Sequence, residues 1–167
     1  MIRLVMPSEK YLKSYIESYD EYMEMGTGAY GMTDPRAFDI FEKYENYRLE
    51  RNLKPDRVGS DYYWLVNDEQ DLFLGEIAIR HRLNDALLLR GGHIGYVIRA
   101  SQWGKGYGTR MLGLALEKAK ERGLKKVLIT CHEENIASAR VMEHNGCVLT
   151  DKVMTDGGLT RRYWKTL

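Results

Sequence analysis

Apolar and polar positions change their spacing along this chain often enough to mark its elements. Ile2 to Met6 is a short apolar run stopped by Pro7, the pattern of a first strand. From Ser8, a residue that can cap a helix, Tyr11, Leu12, Tyr15, Ile16, Tyr19, Tyr22 and Met23 recur at steps of three and four, which puts them on one helical face. Gly26 to Thr33 holds three glycines and Tyr30 and predicts a loop. Asp34-Pro35 then restarts a helix, with Asp as cap and Pro in the first turn, and Phe38, Phe41, Tyr44 and Tyr47 line its face to about Asn52.

After the connector Pro55 to Gly59 the period changes to that of strands. Tyr62 to Val66 and Leu72 to Arg82, separated by the polar Asn67 to Asp71, predict a hairpin. Leu83 to Gly92 crosses to a third apolar run, Ile94 to Ile98. Met111, Leu112, Ala115, Leu116 and Ala119 mark a helix ending at Arg122-Gly123. Val127 to Ile129 is unbroken and apolar, as in a strand buried on both faces, and Asn135 caps a further helix to Gly146. Cys147 to Thr155 and Leu159 to Leu167 pair around the turn Asp156-Gly157-Gly158, with Arg161 and Tyr163 on one face and Arg162 and Trp164 on the other. Pattern alone thus predicts a mixed α/β (α+β) domain.

One stretch carries more than a pattern. From His93 to Thr109 a β-branched strand runs into Gly104, Gly106 and Gly108 at alternate positions and then into a helix beginning near Thr109. Glycines there let the backbone take positive φ and let a ligand approach without meeting a Cβ. The amides at a helix N-terminus, with a dipole equivalent to roughly +0.5 of a charge, suit a phosphate or pyrophosphate, and Lys105 adds a full charge. The plain alternative is a glycine-rich turn. A Walker A loop requires Ser or Thr after its Gly-Lys, whereas Gly106 follows Lys105. A Rossmann loop belongs in a first βα unit with an acid about 20 residues on, and here Leu stands at position 128.

The stretch resembles the acyl-CoA-binding motif of the GNAT superfamily of N-acyltransferases, Gln/Arg-x-x-Gly-x-Gly/Ala. Gly106 and Gly108 take the small positions, while Trp103 stands at the leading Gln/Arg position and Gln102 lies one residue early. The resemblance extends from about Leu72 to Cys147. It implies a central mixed sheet splayed between strands four and five, with helices on both faces and acetyl-CoA entering the splay as co-substrate. It also implies that Gly104, Lys105, Gly106, Tyr107, Gly108 and Thr109 hold the pyrophosphate, with Trp103 also in the cofactor site. Backbone amides near Val97 and Ile98 would hold the thioester carbonyl, and Asn135 the pantetheine arm, Asn135 serving equally as a plain helix cap.

An alkylamine with a pKa near ~10.4 is almost wholly protonated at pH 7, so its proton must be accepted. Where some members of the family carry a Glu base this chain has His93, whose ordinary pKa near ~6.5 suits the task; Glu76 on the neighbouring strand is the second candidate. Either a base or a hydrogen-bonded structural histidine fits position 93. Thr130 and Met142 occupy positions where other members place a second base and a Tyr acid. Cys131, His132 and Glu133 are consecutive, a spacing unlike that of metal ligands, so no metal is expected. The rival reading is a non-catalytic acyl-CoA-binding or regulatory module. A weaker rival is a nucleotide-phosphate binder.

Composition narrows the partners. In 167 residues, 25 Lys and Arg nearly balance 24 Asp and Glu, which is no footprint of a nucleic-acid binder. The length suits a single domain, 1–167. No apolar run is long enough for a signal peptide or a bilayer span, so a cytoplasmic monomer or homodimer with no membrane partner is expected. The acceptor would be a small-molecule or peptide amine. Nine of the twelve tyrosines precede residue 64, as core and rim packing or as the lining of an acceptor pocket.

Overall fold

The computed structural model describes residues 1–167. Strands β1 (Ile2–Val5), β2 (Ser60–Asn67), β3 (Leu72–Arg80), β4 (Ile94–Ile98), β5 (Lys126–His132), β6 (Val148–Thr155) and β7 (Gly158–Thr166) form one mixed sheet in the order β1-β2-β3-β4-β5-β7-β6. Every neighbouring pair is antiparallel except β4 and β5. Helices α1 (Leu12–Glu24) and α2 (Ile40–Leu49) come before β2, a short α3 (Asp85–Leu89) precedes β4, and α4 (Tyr107–Glu121) and α5 (Ile136–His144) flank β5.

Strand alternation sorts side chains to two faces. On one, Tyr15 of α1 stacks on Trp64 with ring centroids 4.8 Å apart, and Phe73 and Tyr44 close the cluster. On the other, Leu65, Ile77, Ile79, Ile94 and Ile129 pack beneath Met111, Leu112 and Ala115 of α4 and Met142 of α5. Each fully buried aliphatic side chain contributes about 1.5–3 kcal/mol, so the two clusters hold both helix pairs on the sheet.

The alternation slips in β3, as it does again in β6 at Thr150. Leu65 faces Gly75 while Val66 faces Phe73, so Leu74 is an extra residue in β3, a bulge. A Cβ at Gly75 would stand 2.7 Å from the Val97 carbonyl oxygen and 2.9 Å from Ile98 Cδ1, so the bulge requires glycine there.

The second helix begins later than the Asp34-Pro35 signal predicts. The Asp34 carboxylate accepts the Arg36 amide at 3.0 Å, closing a turn, and Arg36 bridges on to Asp20. Asp39 is the cap, accepting the Glu42 amide at 3.0 Å, and the first buried residue is Ile40, Phe38 being exposed. Helix α4 also starts two residues before Thr109, at Tyr107, and the crossing before β4 contains α3.

Candidate active site

The site is built around the two edges of β4. Along one edge five residues, Ile94 to Ile98, pair with β3 from Ile79 to Gly75. The Arg80 amide donates to the His93 carbonyl and the Arg99 amide to the Leu74 carbonyl. In an antiparallel ladder the bonded residues alternate, so Gly95 and Val97 spend their amides on β3. Those of Ile94, Tyr96 and Ile98 point the other way, toward β5. There only Ile94 finds a partner, Ile129, and beyond that pair the strands separate. Of the expected pair, Ile98 therefore presents a free amide to the gap and Val97 does not; Tyr96 joins Ile98.

The loop after β4 follows from its glycines. Gly104 and Gly106 sit at φ +75° and +79°, and a Cβ on either would meet nothing within 4 Å. Open space on that side leaves the main chain approachable. The amides of residues 104–109 donate to no carbonyl or side chain, the first intrahelical bond of α4 being Arg110 to Gly106. Orphan amides at a helix start form a cradle for an anion, and this run is longer than the four that any helix leaves. Lys105 donates to Gln102 Oε1 at 3.0 Å beside it. Gly108 differs from its neighbours, because a Cβ there would stand 3.1 Å from Val141 of α5; it serves helix packing.

Trp103, at the motif's first position, is half exposed and donates its indole N–H to the Ile98 carbonyl at 3.0 Å, an oxygen that also accepts from the Tyr22 hydroxyl. Asn135 caps α5 by accepting the Ser138 amide at 3.1 Å. Across the gap the Tyr96 hydroxyl meets Ser138 Oγ at 2.7 Å, tying β4 to α5.

The two candidate bases occupy unlike surroundings. Glu76 is buried on β3 opposite Val97, its Oε2 accepting from the Tyr44 hydroxyl at 2.5 Å and from Trp64 Nε1 at 2.9 Å, while Oε1 has no protein partner. Burial raises its pKa above the usual carboxylate value, partly offset by those two donors and by Lys43. His93 is also buried, and its Nδ1 accepts the Leu128 amide at 2.9 Å. That bond fixes the neutral tautomer with the proton on Nε2, so the ring's one lone pair is already engaged. Burial and then Arg80 lower its pKa, which keeps it neutral.

Between β4 and β5, past the Ile94–Ile129 pair, lies a cleft of about 260 Å³. Gly95, Tyr96, Thr130, Asn135 and Thr160 line it, with Arg80 and Arg90 at its mouth. Thr130 Oγ1 accepts the Gly91 amide at 2.8 Å, and Met142 is wholly buried under α5. Arg80 and Tyr96 carry no motif. Their signal was parity alone: Glu76 and Arg80 fall on one face of β3, and Tyr96 shares with Ile98 the edge that faces the gap. No three His, Cys, Asp or Glu side chains are grouped to hold a metal ion, and no helix is long and apolar enough to cross a membrane.

Residues 3–148 match the family described as the acetyltransferase (GNAT) domain. The chain belongs to the GNAT acetyltransferases. As such it is an acyltransferase. Solved structures share its fold over almost the whole length. The ribosomal L7/L12 α-N-protein acetyltransferase RimL, in complex with coenzyme A, superposes with a TM-score of 0.73 at 14% identity, covering 99% of this chain and 94% of that one. The microcin C7 self-immunity acetyltransferase MccE, in complex with acetyl-CoA and AMP, gives 0.72 at 16%, covering 99% and 92%. Aminoglycoside acetyltransferase AAC(6')-Ib with coenzyme A gives 0.70 at 18%, covering 99% and 95%. No curated protein matches the chain in sequence. For a GNAT acetyltransferase the parted edge of β4 and the glycine loop are the positions where the fold opens.

Proposed function

We propose that this acetyltransferase moves the acetyl group of acetyl-CoA to a primary amine of a small molecule or peptide by direct attack, without a covalent acyl-enzyme. The observation that carries the reading is the run of unpaired amides at 104–109, which follows the strand whose other edge parts from β5. These amides hold the pyrophosphate, with Lys105 beside them. The coenzyme A and acetyl-CoA complexes of similar enzymes support acetyl-CoA as the co-substrate. Asn135 meets the pantetheine arm from the far wall of the cleft.

The thioester supplies an activated acetyl group whose carbonyl oxygen gains charge when an amine adds. The amides of Tyr96 and Ile98 are the donors available to that oxygen, and one such donor is worth about 2.7–4 kcal/mol. Glu76 accepts the amine proton, directly or through one water. Tyr44 and Trp64 fix its Oε2 and leave Oε1 for the proton, and burial lifts its pKa toward the working range. His93 holds the start of β5 through Leu128 and acts as a positioning residue.

Calorimetry with coenzyme A, followed by thiol release from acetyl-CoA over a panel of amines, alcohols and thiols, tests this. The expected result is coenzyme A binding with amine-dependent release. Release driven by alcohols or thiols alone would overturn the amine reading, and binding without any release would favour the non-catalytic module.

A further inference from the structure

Resting on the amine-acetylation reading, we infer that the acceptor carries a carboxylate near its amine, and that Arg80 recognises it from the mouth of the cleft between β4 and β5.

Arg80 is an unusual cation. Most arginines around this part of the sheet have a carboxylate: Arg162 holds Asp151, Arg161 holds Glu133, and Arg122 holds Asp61. Arg80, more enclosed than a surface arginine, has none. Its Nη1 donates to the Gly91 and Gly92 carbonyls at 3.0 and 3.1 Å, which anchors the fork, while Nη2 and Nε donate to nothing in the protein. A cation taken out of water without a counter-charge is costly, and an anionic ligand removes that cost.

The open end of the fork points at the cleft. A Cβ built on Gly95 would stand 3.4 Å from Nη2, so the guanidinium lies directly over the β4 backbone, in a space that any larger residue at 95 would narrow. Ala78 is the partner of Gly95 across the ladder. Of this pair Gly95 lines the cleft, and along β3 Glu76 lies beyond one side of Ala78 and Arg80 beyond the other. The Cα atoms of Glu76 and Arg80 are about 13 Å apart, four strand residues, and both side chains rise from the same face.

The electrical balance of the cleft agrees. Arg80 and Arg90 line it and no Asp or Glu does. Glu133, on the loop after β5, is already shared by Lys152 and Arg161. A planar fork with two donors free matches a carboxylate better than a point charge would. An amine placed at Glu76 and a carboxylate at Arg80 describe a small amino acid whose two groups are separated by a short chain.

The test uses ω-amino acids of increasing length, glycine to 6-aminohexanoate, each against the carboxamide of the same length, with thiol release from acetyl-CoA as readout. For the best pair the carboxylate member should have kcat/KM at least tenfold higher, and in Arg80→Gln that ratio should fall to near one. Arg80→Lys keeps the charge without the fork and should retain part of the preference; melting curves check that both variants fold. A ratio near one in the wild-type protein, or a ratio that survives Arg80→Gln, overturns the inference. If no amine in any pair releases thiol, the acetylation reading fails separately. Calorimetry of the same probes on the coenzyme A-loaded protein then decides for Arg80, tighter carboxylate binding that Arg80→Gln abolishes supporting it and equal binding overturning it.

Discussion

The two edges of β4 are made by one five-residue strand and behave as opposites. Toward β3 every residue from Ile94 to Ile98 is in register, and the aliphatic side chains at alternate positions lock it over α4. Toward β5 a single pair holds within the strand, with His93 bonded to Leu128 just before it. The difference shows how a sheet can be core and site at once. The ladder to β3 supplies rigidity, and the unspent amides on the other edge stay aligned because their own strand cannot move. A binding edge on a loop would lose that alignment.

The comparison is broken most completely by removing what compensates the open edge. With one pair to β4, strand β5 depends on β7, which faces it from Lys126 to His132. Truncation after Asp156 deletes β7 and is expected to abolish the cooperative melting transition, read by circular dichroism. A truncated chain that melts like the full one would mean that β5 is held from the β4 side after all.

A change confined to the closed edge should leave the fold and remove the chemistry. Glu76→Gln keeps an acceptor for Tyr44 and Trp64 but not the basicity, and is expected to lower kcat by about two to four orders of magnitude. Because burial raises the folded-state pKa, the native protein holds this proton more tightly than the unfolded chain. Ionisation therefore costs stability as pH rises past the unfolded value, and the Gln variant should melt no lower than wild type at neutral pH. In the wild type the ascending limb of kcat/KM against pH should lie above the ordinary Glu range. An unchanged kcat in Glu76→Gln would move the proton to water.

At the open edge Gly106→Val places a β-branched residue at φ +79° and a side chain over the amides. The strain costs roughly 1–2 kcal/mol, and coenzyme A affinity should fall at least tenfold by calorimetry with the fold retained. Gly108→Val is the contrast, since its side chain meets Val141 and it should lose melting temperature as well.

The smallest effect belongs to His93. Its pKa is lowered in the fold, so the unfolded chain binds the proton more readily. Stability should therefore decline as pH falls through the unfolded value near ~6.5. His93→Gln should flatten that decline, measured by denaturant titration at several pH values, with kcat within a few-fold of wild type. A kcat loss comparable to that of Glu76→Gln would return the base to position 93.

Much of this architecture could be read along the chain. The glycine loop was legible because Gly104 and Gly106 need positive φ, and a side chain there would stand in the approach to the amides. Strand β5 was legible because Val127 to Ile129 is an unbroken apolar run, all of it buried, and β4 because Ile94 to Ile98 is apolar and largely β-branched although only Ile94 is buried. The start of α2 was not, since Asp34-Pro35 and Asp39 both offer a cap and only the burial of Ile40 separates them. The role of His93 was hidden for a similar reason. Nothing in its neighbours says that a backbone amide 35 positions away will claim its lone pair. The chemistry of Arg80 needed the sheet to show that no acid faces it.

The bulge at Leu74 has a consequence for how this gene can change. One extra residue sets which way all later side chains of β3 point, sending Glu76 and Arg80 to the face that carries Trp64 and Tyr44 and Ile77 and Ile79 to α4. Deleting a single codon there would exchange the two sets, putting a carboxylate and a guanidinium into the aliphatic layer and two isoleucines onto the opposite face. Leu74 can therefore be replaced by another apolar residue at modest cost, but insertions and deletions in the short reach between Asp71 and Gly75 should be purged from any library selected for activity.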